Sequence, residues 1–146
     1  DIAAVMLEPM NLEWPSKNFL KKIQEKCRKN KTILIFDEIC TGFRFSLGGA
    51  QKLFNVTPDL TTLGKGMGNG YPISALVGKR KIMKECDKIF FSSTFGGETL
   101  SLIAASAVID FIKKNKVIKK IDTLGKKIIT EVNKHLKLNN ITYNWP

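Results

Sequence analysis

Two short, unbroken apolar runs limit the fold more than anything else in this chain: Ile2–Leu7 (IAAVML) and Thr32–Phe36 (TILIF). A strand with one wet face alternates apolar and polar residues, whereas a continuous run is the pattern of a strand buried on both faces, as in a parallel sheet. The first run ends at Glu8-Pro9 and the second at Asp37-Glu38. Between them Ser16 is expected to open a helix, in which Phe19, Leu20, Ile23 and Cys27 follow at helical spacing up to Asn30. The unit is β-α-β.

The pattern continues downstream. Leu60–Leu63 and Ser74–Gly78 read as further strands, separated by the glycine-rich turn Gly64-Lys-Gly-Met-Gly-Asn-Gly70, and Ile89–Phe91 as another. Glu98–Ile112 carries Leu100, Ile103, Ala104, Ala107, Val108 and Phe111 at helical spacing, which predicts a helix packed on the sheet. A second helix is expected from Lys116 to Leu138. Apolar strands alternating with helices predict an α/β domain with a mainly parallel sheet flanked by helices, over residues 1–138. The turn after Asn139-Asn140 is expected to begin a separate domain over 139–146. The chain starts Asp-Ile-Ala inside a strand-like run and stops abruptly at Pro146, so it is expected to be an internal piece of a larger fold.

Composition removes several function classes. At 43% hydrophobic and 25% charged residues the chain is globular rather than disordered. No charged segment precedes an apolar stretch, and no run approaches the roughly 18 to 20 apolar residues of a membrane span. Cys27, Cys40 and Cys86 are odd in number and far apart, which disfavours both a disulfide framework and a CxxC metal clip, and fits a reducing cytoplasm. The single histidine, His135, lies in a Lys-rich helical stretch and reads as a surface residue, leaving zinc and Ser-His-Asp chemistry with little support. A net charge of +11 would attract polyanions. Yet Arg28, Arg44 and Arg80 are the only arginines, and the lysines are scattered over polar helix faces without interleaved aromatics, so a solvated face is preferred to a nucleic-acid surface.

In parallel sheets, ligands bind outside the carboxyl ends of the strands, and Asp37 and Lys65 both fall at such ends. Lys65 follows its strand directly and is enclosed by Gly64 and Gly66, where backbone can approach a ligand closely. An amine held at a partly desolvated strand end has its neutral form favoured, the form that condenses with an aldehyde. The alternative is a turn lysine among glycines. Asp37 closes an apolar strand, where a carboxylate needs a cation or several donors. A protonated pyridine nitrogen would serve, and so would the N–H groups of the following turn. Glu38 must point the other way and reads as structural. Ser92-Ser-Thr-Phe-Gly-Gly97 precedes a helix whose free N–H groups favour an anion, so Thr94 could hold a phosphate or simply cap the helix. Neither GxxxxGK[ST] nor GxGxxG after a strand is present, so nucleotide binding has weak support.

Together these segments resemble a family. Phe36-Asp-Glu-Ile-Cys-Thr-Gly-Phe-Arg44, Pro58-Asp59, Leu63-Gly-Lys-Gly-Met-Gly-Asn-Gly-Tyr-Pro72 and Ser93-Thr-Phe-Gly-Gly97 are similar, in order and spacing, to class III aminotransferases, which depend on pyridoxal 5'-phosphate (PLP). Gly42-Phe-Arg-Phe-Ser-Leu-Gly-Gly-Ala-Gln51 looks most like the branch related to glutamate-1-semialdehyde 2,1-aminomutase. The resemblance implies a fold type I PLP-dependent transferase, with residues 1–138 in the large cofactor domain and 139–146 opening the small carboxyl-terminal domain. It implies Lys65 as the Schiff-base lysine and later proton shuttle, Asp37 as partner of the pyridinium nitrogen, Ile39 on the ring face and Cys40 near the ring hydroxyl. Ser93 and Thr94 would belong to the cofactor-phosphate site, with Thr94 reaching the partner's cofactor across a homodimer interface. Glu13, in Glu8-Pro-Met-Asn-Leu-Glu13, would lie near the substrate. The substrates implied are a small-molecule amino donor and a carbonyl acceptor.

Three departures qualify the match: Cys40 stands where many relatives have Gln or Met, Asn69 interrupts a glycine run, and Ser93–Leu100 lacks the Gly-Asn-Pro ending common in relatives. The last tilts the reading toward an aminotransferase over the aminomutase. The alternatives are that aminomutase, which returns the amino group to the same skeleton, and a non-catalytic basic binding module.

Overall fold

In the computed structural model, which describes residues 1–90 and 92–142, four strands form one sheet in the order β1 (Ala4–Leu7), β2 (Ile33–Asp37), β3 (Leu60–Leu63) and β4 (Ala75–Gly78). The first three run parallel, with Leu7 opposite Phe36 and Asp37 opposite Thr62, and β4 is antiparallel to β3. The β1-to-β2 crossover is helix α1 (Phe19–Lys29). It begins three residues later than expected, because Asn18 sits in left-handed backbone at φ 65° and the Ser16 carbonyl accepts the Phe19 N–H instead of opening the helix.

Helix α1 turns Leu20, Ile23 and Cys27 onto one face of the sheet, where they meet Leu34 and Phe36 of β2, Val5 and Leu7 of β1, and Val56. This is the core, and Phe36 at 0% exposure is its centre. The opposite face is different. Met6 is 55% exposed, and Ile33 and Ile35 are only half-buried. The expectation of strands buried on both faces is therefore corrected for β1: it is an edge strand that the described residues cover on one side only.

The connection after β2 contains a short helix, α2 (Gly49–Phe54), and Trp14 packs edge to face on Phe54 with ring centroids 5.5 Å apart. A 3-10 turn (Lys65–Met67) follows β3, and β4 leads into α3 (Arg80–Met83) and a 3-10 helix (Lys84–Lys88). The strand expected at Ile89–Phe91 is not found: Ile89 and Phe90 lie in no strand, and Phe91 lies outside the described residues. The chain ends in two long helices, α4 (Thr99–Asn115) and α5 (Val117–Leu138).

Helix α4 packs mainly on α5 and against the Lys65–Met67 turn, with no comparably extensive contact to a strand among the described residues, which corrects the expectation of a helix laid on the sheet. The reason lies in its surface. It buries only Ser101 and Ala105, while Leu100, Ile103 and Phe111 stay more than half exposed, so much of the apolar stripe that predicted a sheet contact is left uncovered by the described residues. Among the described residues no helix is long and apolar enough to cross a membrane.

Candidate active site

The carboxyl ends of β2 and β3 bring the polar residues together. Asp37 ends β2 half-buried, and its Oδ1 accepts the Ile39 N–H at 3.0 Å and the Thr62 hydroxyl of β3 at 3.2 Å. The turn-capping reading of Asp37 is thus realised through one oxygen. No hydrogen bond among the described residues engages Oδ2, so the carboxylate is fixed by one oxygen and presents the other.

Lys65 opens the turn after β3 with φ 41°, in the left-handed region that a non-glycine residue enters at a cost. Its Nζ lies 2.5 Å from Cys40 Sγ, three residues past Asp37. A Cβ added to Gly64 or Gly66 would meet nothing nearer than 3.6 Å, the neighbour at Gly64 being the Ile39 side chain. Packing within the chain does not require glycine at either position, and the space beside the Lys65 backbone stays open. Asp37, Ile39, Cys40 and Lys65 therefore share one end of the sheet.

Glu38 points the opposite way, as strand alternation requires. It is fully buried, and its carboxylate accepts the Ala50 N–H at 2.5 Å, the Gln51 N–H at 3.0 Å, the Thr41 hydroxyl at 2.9 Å and the Gln51 side-chain amide at 3.1 Å. It caps α2 from twelve residues upstream. Gly49 stands at φ 68°, and a Cβ there would overlap the Glu38 carboxylate, so the Gly48-Gly-Ala-Gln51 segment is shaped by this cap. Pro58-Asp59 has an equally local cause. Asp59 accepts the Leu34 N–H through Oδ2 at 2.8 Å and the Lys79 ammonium through Oδ1 at 2.5 Å, tying β2, β3 and the end of β4 at the far edge from Lys65. Burial alone would raise the Asp59 carboxyl, but the Leu34 N–H and Lys79, with Arg28 farther off, bring it below its ordinary value.

The remaining predicted residues stand apart from this cluster. Ser93 and Thr94 lie on an exposed turn and make no side-chain hydrogen bond among the described residues; the Ser93 carbonyl accepts the Gly96 N–H. The N–H groups expected to receive an anion are already taken, because Glu98 caps α4 by accepting from Leu100 N–H at 2.8 Å and Ser101 N–H at 2.7 Å. This corrects the helix-end part of the phosphate reading: a carboxylate now occupies that position. Glu13 is exposed in the connection between β1 and α1 and makes no side-chain hydrogen bond among the described residues.

Two features escaped the sequence. Thr62, read only as a strand residue, orients Asp37, and nothing in its spacing says so. A cleft of about 640 Å³ opens beside the Lys65 turn, lined by Phe43, Gly66, Asn69, Ala107, Val108 and Phe111 among others, which requires α4 to lie against that turn.

Comparison with known proteins shows what the chain is similar to. Residues 1–143 match the family model described as aminotransferase class-III. The chain is 39% identical over 152 aligned residues to the 3-aminobutyryl-CoA aminotransferase of Cloacimonas acidaminovorans, covering 99% of this chain and 37% of that protein. It is 40% identical over 139 residues to the glutamate-1-semialdehyde 2,1-aminomutase of Archaeoglobus fulgidus, covering 90% of this chain and 33% of the relative. A solved structure of a transaminase with PLP bound superposes with a TM-score of 0.88 at 25% identity, over 96% of this chain and 35% of that one. The chain thus spans about a third of the length of the relatives it matches.

Proposed function

The chain belongs to the class-III aminotransferase family, and on that premise we propose that it is the cofactor-lysine segment of a PLP-dependent aminotransferase moving an amino group between a small amino donor and a carbonyl acceptor. The observation that carries the reading is Lys65 itself: a lysine in left-handed backbone at the end of β3, one strand from a carboxylate fixed by one oxygen with the other open.

The residues present fit the cofactor. When bound, PLP supplies an aldehyde that condenses with an amine and a ring that draws electrons from the substrate carbon. Lys65 holds the cofactor through its Nζ and then carries the proton on and off the substrate Cα. Asp37 Oδ2 holds the proton on the ring nitrogen, and a fixed carboxylate there stabilises the positive charge without reorganising. Thr62 and the Ile39 N–H keep that oxygen aimed by occupying Oδ1. With the cofactor bound, Ile39 would pack on the ring, Cys40 would lie toward its hydroxyl, and Glu13 would be offered to the substrate.

Ser93 and Thr94, exposed on their turn, serve the phosphate of a partner's cofactor in a homodimer. The uncovered faces of α4 and α5 support burial against such a partner or against further chain. Residues 1–138 form part of the large domain and 139–146 begin the small one, of which 143–146 lie outside the described residues. The enzyme is assigned to the cytoplasm, with neither nucleic acid nor membrane as partner.

The test is the absorbance spectrum of the full-length protein with PLP, before and after borohydride, for wild type and Lys65→Ala. A visible band that reduction bleaches, with cofactor fixed covalently to Lys65, is expected in wild type alone, together with a loss of at least about 10³-fold in turnover for the variant. No band in either protein would sink the reading. The Archaeoglobus relative favours a second reading, an aminomutase. Turnover that needs an added keto acid acceptor marks the transferase, and turnover without one marks the aminomutase.

A further inference from the structure

Cys40 is the site residue that touches Lys65. Its Sγ lies 2.5 Å from Lys65 Nζ, and both side chains are exposed. No carboxylate pairs with Lys65 among the described residues. The other thiols sit elsewhere: Cys27 is buried in the core beneath α1, and Cys86 lies in the 3-10 helix beyond β4. A sulfur oxidised at position 40 therefore meets an amine as its nearest nucleophile.

We propose that Cys40 and Lys65 form a reversible sulfur–nitrogen crosslink under peroxide, a redox switch that withdraws the lysine from its chemistry. In the first step the Cys40 sulfur attacks one oxygen of hydrogen peroxide; the O–O bond breaks, giving a sulfenic acid and water. In the second, the lone pair of Lys65 Nζ attacks that sulfur; the S–O bond breaks, and hydroxide leaves with a proton from the nitrogen as water. Sulfur is oxidised, peroxide is reduced, and the protein loses two hydrogens overall. A dithiol reverses the change: one thiol attacks the sulfur and expels the amine, and its second thiol then displaces Cys40 from the mixed disulfide, the reagent leaving as its cyclic disulfide. The left-handed turn at Lys65 holds the amine over residue 40, so no backbone rearrangement is needed.

The crosslink stands on geometry alone, whereas its effect on the cofactor rests on the function proposed above. Cofactor-free, full-length protein would be treated with low hydrogen peroxide and followed by intact mass and peptide mapping. The expected result is a loss of about 2 Da, mapped to a linked pair of peptides carrying Cys40 and Lys65 and reversed by dithiothreitol. Cys40→Ser and Lys65→Ala should each abolish it, and prior loading with PLP should suppress it. Oxygen added at Cys40 while Lys65 stays open to acylation would overturn the crosslink, and a loss undiminished by PLP would overturn the switch. The two proposals fail separately: mass loss without a borohydride-sensitive band keeps the crosslink and rejects the cofactor reading, and the band without mass loss does the reverse.

Discussion

The strand-bearing part of the molecule, residues 1–78, and the terminal helix pair α4–α5 are built from equally apolar sequence, yet only the first encloses it. In the first, α1 closes over Leu34 and Phe36, and the sheet's carboxyl ends are left with an organised polar cluster. In the second, α5 buries no residue at all, and Phe111, Ile121 and Leu124 are 62%, 57% and 58% exposed. Helical periodicity marks which face is meant for burial; whether it is buried depends on a neighbour being there. Each such side chain left in water forgoes roughly 1.5 to 3 kcal/mol. The residues proposed to hold the cofactor ring sit in the finished region, and those proposed to reach a partner sit before the unfinished one.

The sharpest way to break this contrast is a pair of matched truncations. Phe36→Ala is expected to cost about 3 to 5 kcal/mol, as for a fully buried aromatic, whereas Phe111→Ala should cost this chain less than about 1 kcal/mol. Urea unfolding of both variants reads the difference. Equal losses would mean that α4 is packed as firmly as the core. Adding the remainder of a full-length protein should raise the Phe111 cost and leave that of Phe36 unchanged.

Next in size is Glu38→Ala. Removing the carboxylate strands the Ala50 and Gln51 N–H groups and two side-chain donors in a buried site, an expected cost of about 3 kcal/mol. The loss should appear as weakened protection of the α2 amides in hydrogen exchange, while the amides of α4 exchange as before. If α2 stays protected, the cap is not what holds it.

Thr62→Val tests the link between the sheet and the site. The hydroxyl contributes one hydrogen bond to Asp37, worth about 1 kcal/mol, so PLP should bind roughly 5-fold more weakly in the full-length protein, with Thr62→Ser restoring most of it. Equal affinities for valine, serine and wild type would remove Thr62 from the site.

Much of this was legible from residue order, and the failures have definite causes. A continuous apolar run placed β2, and the short Leu60–Leu63 segment before the glycine-rich turn placed β3, which left Asp37 and Lys65 at their carboxyl ends, because strand geometry is local. Strand alternation likewise sent Glu38 away from Asp37. What Glu38 meets there, α2 twelve residues on, depends on a long-range contact that no local pattern encodes. The open face of β1 and the uncovered stripe of α4 were misread for one reason: apolarity reports the environment of a complete fold, and this chain spans about a third of its relatives' length. At α4, the Ser and Thr residues suggested the cap, but Glu98 is nearer the first free N–H groups and takes them.

The smallest effect separates the two regions by their charges. Asp59 is tied to the Leu34 N–H and to Lys79, and on balance its carboxyl titrates below its ordinary value even though burial pulls the other way. A carboxyl lowered in the folded state adds stability above its unfolded value, near 3.9, and that stability is lost as pH falls through the folded value. On α5 the Asp122–Lys126 pair also closes to 2.8 Å, but both side chains are exposed, at 57% and 76%. Lys79 is itself largely in water, so the Asp59 contribution is discounted to below about 1 kcal/mol. Asp59→Asn should therefore flatten the acid limb of stability as pH falls below the unfolded value, whereas Asp122→Asn, which removes an exposed surface pair, should change stability at neutral pH by less than about 0.5 kcal/mol. Added salt should erase whatever small effect Asp122 has and leave most of that of Asp59, since the hydrogen bond from the Leu34 N–H is not screened as an exposed ion pair is. An acid limb left unchanged by Asp59→Asn would mean that the strand region holds this charge no more firmly than an exposed helix pair is held.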